Sequence, residues 1–375
     1  VPYQGLFLCA HCAGDDAEGL IAACVEHLGP IPEGTNLGFV YLTDAVAGEA
    51  AAMVETLRRE TGVPHWAGTV GMGVSAPGRE YYDRPALSVM LTRLPQDAFR
   101  MVSTPLRTRE ASGEAAPLGQ TDDPAYFGVL HGDPSNPALP AMIHGLAAEL
   151  PEVFFVGGLT SSQGDHVQIV DGAVSGGLCG VLFTPEIPVV TGHTQGCTPI
   201  SSHHVVTACQ HNIIIELDGR PALHVFQEDI GEVLAKDLKR VAGYIFAGLP
   251  VPGSDTGDYL VRNLIGIDPN NGLLAIGEQL STGDEIMFCR RDGNSARDDM
   301  RRMLEDIRRR LSAPPRGALY YSCVGRGRHQ FGENSEELKL IQETLGDIPL
   351  TGFFANGEIF HSRLYGYTGV LSVFC

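Results

Sequence analysis

The sequence predicts an α/β protein in which an internally repeated strand-helix-strand-strand unit forms mixed sheets with packed helices, arranged in two domains. Three observations carry this reading: short apolar runs beside glycines, amphipathic stretches with helix stop signals, and the return of the same order three times. The first copy reads as a strand at 38–42 (GFVYL) and a helix with Met53, Val54 and Leu57 on one face, stopped by Gly62. An apolar strand running into a glycine turn at 63–73 and a closing strand at 86–91 complete it.

The second copy opens at Tyr126 (YFGVLHG). Asn136 and Pro137 are read as an N-cap and first-turn proline for a helix carrying Leu139, Met142, Ile143 and Leu146. A strand and glycine turn at 153–160, including Gly157 and Gly158, and a closing strand at 179–183 follow. The third copy opens at Ala318 (ALYYSC), with Asn334 and Glu337 read as a capping box and Leu338, Ile341 and Leu345 as the stripe ended by Gly346. It continues through 349–354 and closes at 369–374. The turns after the three middle strands are expected to lie in equivalent places, where glycine lets a ligand or another backbone approach closely.

Between the copies, residues 104–124 are polar and rich in Pro and Gly, and read as a surface loop or flap. From about Val205 the chain becomes strand-rich, with a hairpin signal at Asp218-Gly219 and a helix face of Ile230, Val233, Leu234, Leu238 and Val241. Antiparallel strands are expected at 260–267, 272–276 and 284–290, then an amphipathic helix at 295–311 whose arginines sit among acids as a solvated face.

A formal charge of −19, with 45 acids against 26 bases, argues against nucleic acid and against an anionic membrane surface. No run reaches the roughly 18–20 apolar residues a membrane helix needs. No leader pattern is legible, although the chain starts at Val1, and nine cysteines without a regular framework suit a reducing compartment, so the cytoplasm is the expected location.

Several stretches resemble the FIST N and FIST C domain pair, named for F-box and intracellular signal-transduction proteins. The likeness is carried by Gln195-Gly196-Cys197 followed by Pro199-Ile200, by 216–223 (ELDGRPAL), by 322–327 (SCVGRG), by 352–359 (GFFANGEI) and by Phe155-Val156-Gly157-Gly158. It divides the chain into a FIST N-like domain at 1–204 with two repeats and a FIST C-like domain at 205–375 with the third. The resemblance implies a non-enzymatic sensor of a small molecule, amino acids among the suggested ligands, acting through a separate signalling partner such as a kinase or receptor. One branch of the family with a similar layout binds haem to sense nitric oxide.

Candidate ligand contacts are Cys323, Arg326, Asn356 and Glu358 at the third repeat's turns, Gln195 and Cys197 near the junction, and Gly157 and Gly158 in the second repeat. Arg326, between glycines, offers a planar fork to a carboxylate or phosphate, or else pairs with Glu358. Asn356 and Glu358 suit an amino group and a polar edge, or else turn capping and a paired carboxylate. Cys323 is read as a buried small residue or, in a second alternative, as the nucleophile of a thiol enzyme. His193, His203 and His204, in a segment that also holds Cys197, Cys209 and His211, are the haem-ligand candidates, with His131 and His166 behind them. Cys9-Ala10-His11-Cys12 matches a redox spacing but is read as coincidence, lacking a second pair for zinc.

Overall fold

The computed structural model describes residues 6–103, 125–235, 238, 241, 243–251 and 258–375. The segment 104–124, expected as a surface loop, lies outside them. In chain order the first repeat comprises β1 (Leu6–Ala13), α1 (Ala17–Leu28), β2 (Leu37–Thr43), a 3₁₀ turn (Asp44–Glu49), α2 (Ala50–Thr61), β3 (His65–Gly71), the hairpin β4 (Gly73–Ala76) and β5 (Arg79–Tyr82), and β6 (Ala86–Arg93). The second comprises β7 (Phe99–Ser103), β8 (Phe127–Gly132), α3 (Leu139–Glu149), β9 (Phe154–Leu159), the hairpin β10 (Gln168–Val170) and β11 (Ala173–Val174), and β12 (Leu178–Phe183).

β13 (Val189–Gln195) opens the third repeat, which is then interrupted by β14 (Cys197–Pro199), β15 (His204–Gln210), β16 (Ile213–Leu217), β17 (Arg220–Pro221), α4 (Ala222–Ala235), β18 (Ile245–Pro250), β19 (Tyr259–Asp268), β20 (Leu273–Ile276) and β21 (Glu285–Arg291). It resumes with α5 (Gly293–Arg310), β22 (Gly317–Cys323), α6 (Arg328–Phe331), α7 (Glu336–Leu345), β23 (Leu350–Ala355), β24 (Glu358–Phe360), β25 (Arg363–Tyr365) and β26 (Thr368–Phe374).

The chain forms two compact units. A three-sheet unit holds Val1–Thr194, Arg297–Leu364 and Thr368–Cys375, and a second unit holds Gln195–Ala296 with Tyr365–Tyr367. These compact units cut across the sequence division expected at 204/205: the third repeat packs with the first two, and the second unit is an insertion between β13 and α5.

Each sheet of the three-sheet unit has six strands in one shared pattern: β1-β6-β2-β3-β10-β11, β7-β12-β8-β9-β24-β25 and β13-β26-β22-β23-β4-β5. In each, the first and middle strands of a repeat are parallel neighbours and the closing strand lies antiparallel beside the first. The hairpin after each middle strand leaves its own sheet. That of repeat 1 pairs with β23, that of repeat 2 with β3 and that of repeat 3 with β9. The strand-helix-strand-strand unit is legible in the sequence and this cyclic exchange is not, because strands of two to four residues carry no period of their own.

Inner faces of all three sheets meet in one core built from Phe39, Tyr41, Val129, Val156, Leu319, Tyr321 and Phe353. On the outer faces α1 and α2 cover Val40 and Leu42, and α3 covers Leu130 and Phe155. Both faces of each sheet are thus buried, which explains runs such as GFVYL in place of alternating strands. Tyr41, His131 and Tyr321 occupy the same position in the three first strands and meet at the centre. Tyr41 Oη lies 3.1 Å from His131 Nε2 and 2.8 Å from Tyr321 Oη. Burial pushes the His131 pKa down to about 3, which keeps the ring neutral.

Gly62 and Gly346 end α2 and α7 with φ of 71° and 84°, as the sequence indicates. Two local readings change. Asn136 accepts from Ala138 N ahead of α3, so the helix starts later than expected. Glu337 is wholly buried and turned to Arg326, and the N-cap position of α7 is Ser335, with φ 59° and no side-chain capping bond.

Among the described residues the strands of the second unit pair antiparallel, and β21-β15-β16-β20-β19-β18 closes on itself because β18 also pairs with β21. The predicted hairpin is present, with Asp218 (φ 52°) and Gly219 (φ 73°) as its two-residue turn. Phe226 and Ile230 of α4 pack on Val206, Ile214 and Phe288; α4 breaks its geometry at Gly231 and is described as far as Ala235, while of the expected helix face Leu238 lies in a 3₁₀ turn and Val241 in a turn. Among the described residues no helix is long and apolar enough to cross a membrane.

Three glycines set the closeness of the parallel pairs. A Cβ on Gly68, Gly157 or Gly352 would lie 1.7, 1.8 or 1.7 Å from the carbonyl oxygen of Val40, Leu130 or Tyr320. These positions are equivalent in the three repeats, each facing the residue before the central ring. Gly68→Ala is therefore expected to destabilise the protein by more than about 4 kcal/mol. By contrast, Gly145→Ala, in α3 with open space around it, is expected to stabilise by about 0.5–1 kcal/mol. Chemical denaturation of both variants checks the contrast.

Candidate functional site

The bends after the three middle strands come together. Met72 N donates to Ser161 Oγ at 2.8 Å, and Ser161 Oγ donates to Phe354 O. Asn356 N donates to Leu159 O at 3.0 Å, and Leu159 N donates to Gly357 O at 2.9 Å. Met72, Ser161 and Asn356 hold the same place in their repeats, so the hairpin exchange carries all three bends to one location. Met72 and Asn356 are exposed there and Ser161 is buried. Below Ser161, Thr69 Oγ1 and Thr160 Oγ1 are 2.6 Å apart, and Gln168 Nε2 donates to Thr160 Oγ1 at 2.7 Å.

Beside the bends, at the carboxyl ends of β2 and β8, lies a polar crevice of about 470 Å³ whose lining includes Gly48, Asp133, Ser135, Asp165 and His166. Asp133 accepts from Ser135 N (2.9 Å), Ser135 Oγ (2.6 Å) and Gly176 N (2.7 Å), with His166 Nδ1 3.3 Å away. Burial works to raise its pKa, but these donors hold it below the ordinary aspartate range. Asp133 and Ser135 escaped the sequence reading, although an Asp-Pro-Ser turn directly after an apolar strand was visible in it. The corresponding crevice between α6, α7 and the β4–β5 hairpin is smaller, about 280 Å³, and its lining includes Glu80, Tyr82, Arg328 and Ser335.

The third repeat's candidates fall into two classes. Asn356 is exposed at the bend. Arg326 is wholly buried and its partner is Glu337, not Glu358: Arg326 Nε donates to Glu337 Oε1 at 2.8 Å. Arg326 Nη2 stands 2.8 Å from the same oxygen, close enough for an ion pair though out of line for a hydrogen bond. Glu337 also accepts from Tyr320 Oη (2.6 Å), Ser322 Oγ (3.1 Å) and Gly327 N (2.8 Å), so one carboxylate gathers the loop after β22. Burial opposes the guanidinium's charge, yet Glu337 and Tyr320 hold its pKa above the ordinary arginine value. Cys323 is buried at the end of β22, with Gly325 N 3.5 Å from its Sγ.

Glu358 is wholly buried, accepting from Thr368 N (3.1 Å) and Oγ1 (2.8 Å). Gly158 faces it across the β9–β24 ladder. Gln195 and Cys197 belong to the second unit, where Gln195 Nε2 donates to Tyr259 O and Tyr259 Oη donates to Cys197 O.

His193 packs its ring 4.5 Å from Phe360 in the three-sheet unit. His203 is exposed, 3.3 Å from Glu285, and His204 has Nδ1 2.6 Å from Asp218 and Nε2 2.8 Å from Asp229. Haem ligation needs an imidazole lone pair in an apolar cradle. His204 has both nitrogens engaged by carboxylates and His203 stands in solvent, so these two do not fit a haem. Cys9 and Cys12 point to opposite faces of β1, toward the central core and toward α1, so they are not a redox pair. Burial raises both thiols, Cys12 to about 11.

Burial pushes Glu358 from 4.5 up to about 8. A carboxyl whose folded pKa is raised contributes stability that is complete below its unfolded value and lost as pH rises through the folded one. Stability is therefore expected to decline between pH 4.5 and about 8. Glu358→Gln should flatten that decline, and denaturant unfolding across this range measures it.

Comparison with known proteins gives two matches to family models, FIST N domain over residues 36–220 and FIST C domain over 222–361. The FIST C match takes in strands of both compact units. An uncharacterized protein of Mycobacterium tuberculosis is 34% identical over 324 residues, covering 82% of this chain and 82% of the relative. An uncharacterized protein of Mycobacterium bovis is 30% identical over 364 residues, covering 91% of each. The chain belongs to the FIST family, whose domains are sensory domains of signal transduction.

Proposed function

We propose that this protein is a cytoplasmic sensor that binds a small polar ligand beside the joined bends and passes the signal through a separate partner such as a kinase or receptor. The observation that carries the reading is the meeting of Met72, Ser161 and Asn356 next to the crevice holding Asp133, Ser135 and His166. Open α/β sheets bind ligands at the carboxyl ends of their strands, where chain directions diverge and backbone groups are unpaired. Here hydrogen bonds tie elements of different repeats at that place, so a ligand touching two repeats favours one relative arrangement of them.

In this reading Asp133 and Ser135 receive a donor group of the ligand, His166 and Asn356 take a polar edge, and an amino acid has the right chemistry and size. Gly157 and Gly158 let the backbone approach closely. Cys323, Arg326 and Glu358 act from beneath, holding the third bend in place. Gln195 and Cys197 of the second unit remain proposed contacts on the strength of the motif alone. The buried Cys323 thiol gives no support to a thiol enzyme.

Native mass spectrometry of gently purified protein is expected to show a retained small molecule. Asp133→Asn, with the fold intact by circular dichroism, should lose it. A ligand-free mass together with no melting shift in a panel of amino acids and polar metabolites would contradict the proposal.

A further inference from the structure

A third cavity, of about 520 Å³, lies against β1, the edge strand of the first sheet; it shares no lining residue with the Asp133 crevice and shares Tyr81 and Arg84 with the 280 Å³ crevice. Its polar lining is His11, His27, Arg79, Tyr81 and Arg84, with no carboxylate. In a chain with 45 acids against 26 bases, that composition is unexpected. Neither arginine has an Asp or Glu within ion-pair distance among the described residues. The acids adjacent in sequence are turned away: Glu80 accepts from Tyr82 Oη at 3.1 Å, and Asp83 pairs with Arg328 at 2.6 Å.

The arrangement is held in place. Arg79 and Tyr81 project from the same face of β5, two residues apart. The Arg84 carbonyl accepts from Thr43 Oγ1 at 2.8 Å, and Pro85 O accepts from Gly14 N at 3.1 Å, which fixes the chain that carries the second guanidinium. Both guanidinium carbons lie 5.9 Å from the centroid of the Tyr81 ring. Tyr81 Oη is 2.6 Å from His11 Nδ1, which locks the imidazole at the cavity wall.

We propose that this cavity binds a phosphorylated small molecule, with the phosphate held by Arg79 and Arg84 and the organic body lying along β1. Two guanidinium forks match the several acceptor oxygens of a phosphate dianion better than the two of a carboxylate. The volume exceeds what a bare phosphate fills and falls in the range of small-molecule sites. A cationic cavity of this size on a chain of charge −19 does not track a nucleic-acid backbone. The inference goes beyond the sensor reading and stands even if the Asp133 crevice binds nothing.

Isothermal titration with phenyl phosphate as probe tests it, with inorganic phosphate and phenol as parallel arms. Saturable one-to-one binding of phenyl phosphate is expected, tighter than inorganic phosphate, with phenol inert. Arg79→Gln and Arg84→Gln should each weaken it about tenfold while melting temperature is unchanged, as for loss of one charge-assisted contact. Arg84→Lys should recover only part, because the fork is lost. Equal affinity for inorganic phosphate overturns the assignment to an ester. No binding of either phosphate, or binding indifferent to both arginines, overturns the site.

Discussion

Each middle strand of the three-sheet unit finishes its hydrogen-bonding edge with a hairpin from another repeat, and the three exchanges form a ring. A buried strand edge left unpaired costs several hydrogen bonds' worth of desolvation, so no repeat is complete without the next. The bend between a middle strand and its departing hairpin is where the chain crosses from one sheet to another. All three crossings occur at one end of the shared core, and this is why Met72, Ser161 and Asn356 meet. The glycines at 68, 157 and 352 allow the backbones to come this close, and the central rings of Tyr41, His131 and Tyr321 fill the space between the sheets.

Two buried polar groups show how the third repeat differs from its siblings. The Arg326–Glu337 pair is fully removed from water, where the loss of hydration can exceed the charge attraction unless the remaining positions are hydrogen-bonded. Tyr320, Ser322 and Gly327 supply those bonds, so the pair organises the loop following β22. Glu358, with Oε1 unpartnered among the described residues, avoids the same penalty by keeping its proton. Glu358 follows the third bend directly and is fixed to Thr368. Met72 and Asn356 remain exposed, which leaves an accessible rim at the bends beside these buried groups.

Much of this was legible in the sequence, for identifiable reasons. Sheets buried on both faces write themselves as apolar runs, and Gly62 and Gly346 announce helix ends, so the threefold repetition and its order could be read. The equivalence of the bends could be read too, and their meeting follows from it once the hairpins are known. The exchange itself could not be seen, since β10 and β24 have three residues each and partners more than ninety positions away in sequence. Glu337 looked like a helix cap because capping and burial share the same local signature of a carboxylate near a helix start. The matching turn offers Glu358 as one alternative partner for Arg326, whereas the fold brings Glu337 to it. Arg79 and Arg84 gave no signal, because their significance lies in which acids fail to face them.

The central claim is that the exchanged hairpins bring the three bends into contact. Cysteines placed at Met72 and Ser161, whose backbone and side chain are 2.8 Å apart, report on this directly. Most native thiols are buried, so mild oxidation followed by peptide mass spectrometry reads the new pair cleanly. A disulfide joining positions 72 and 161 in high yield in the folded protein is the result the account predicts. Free thiols at both positions, with the fold intact, would contradict it.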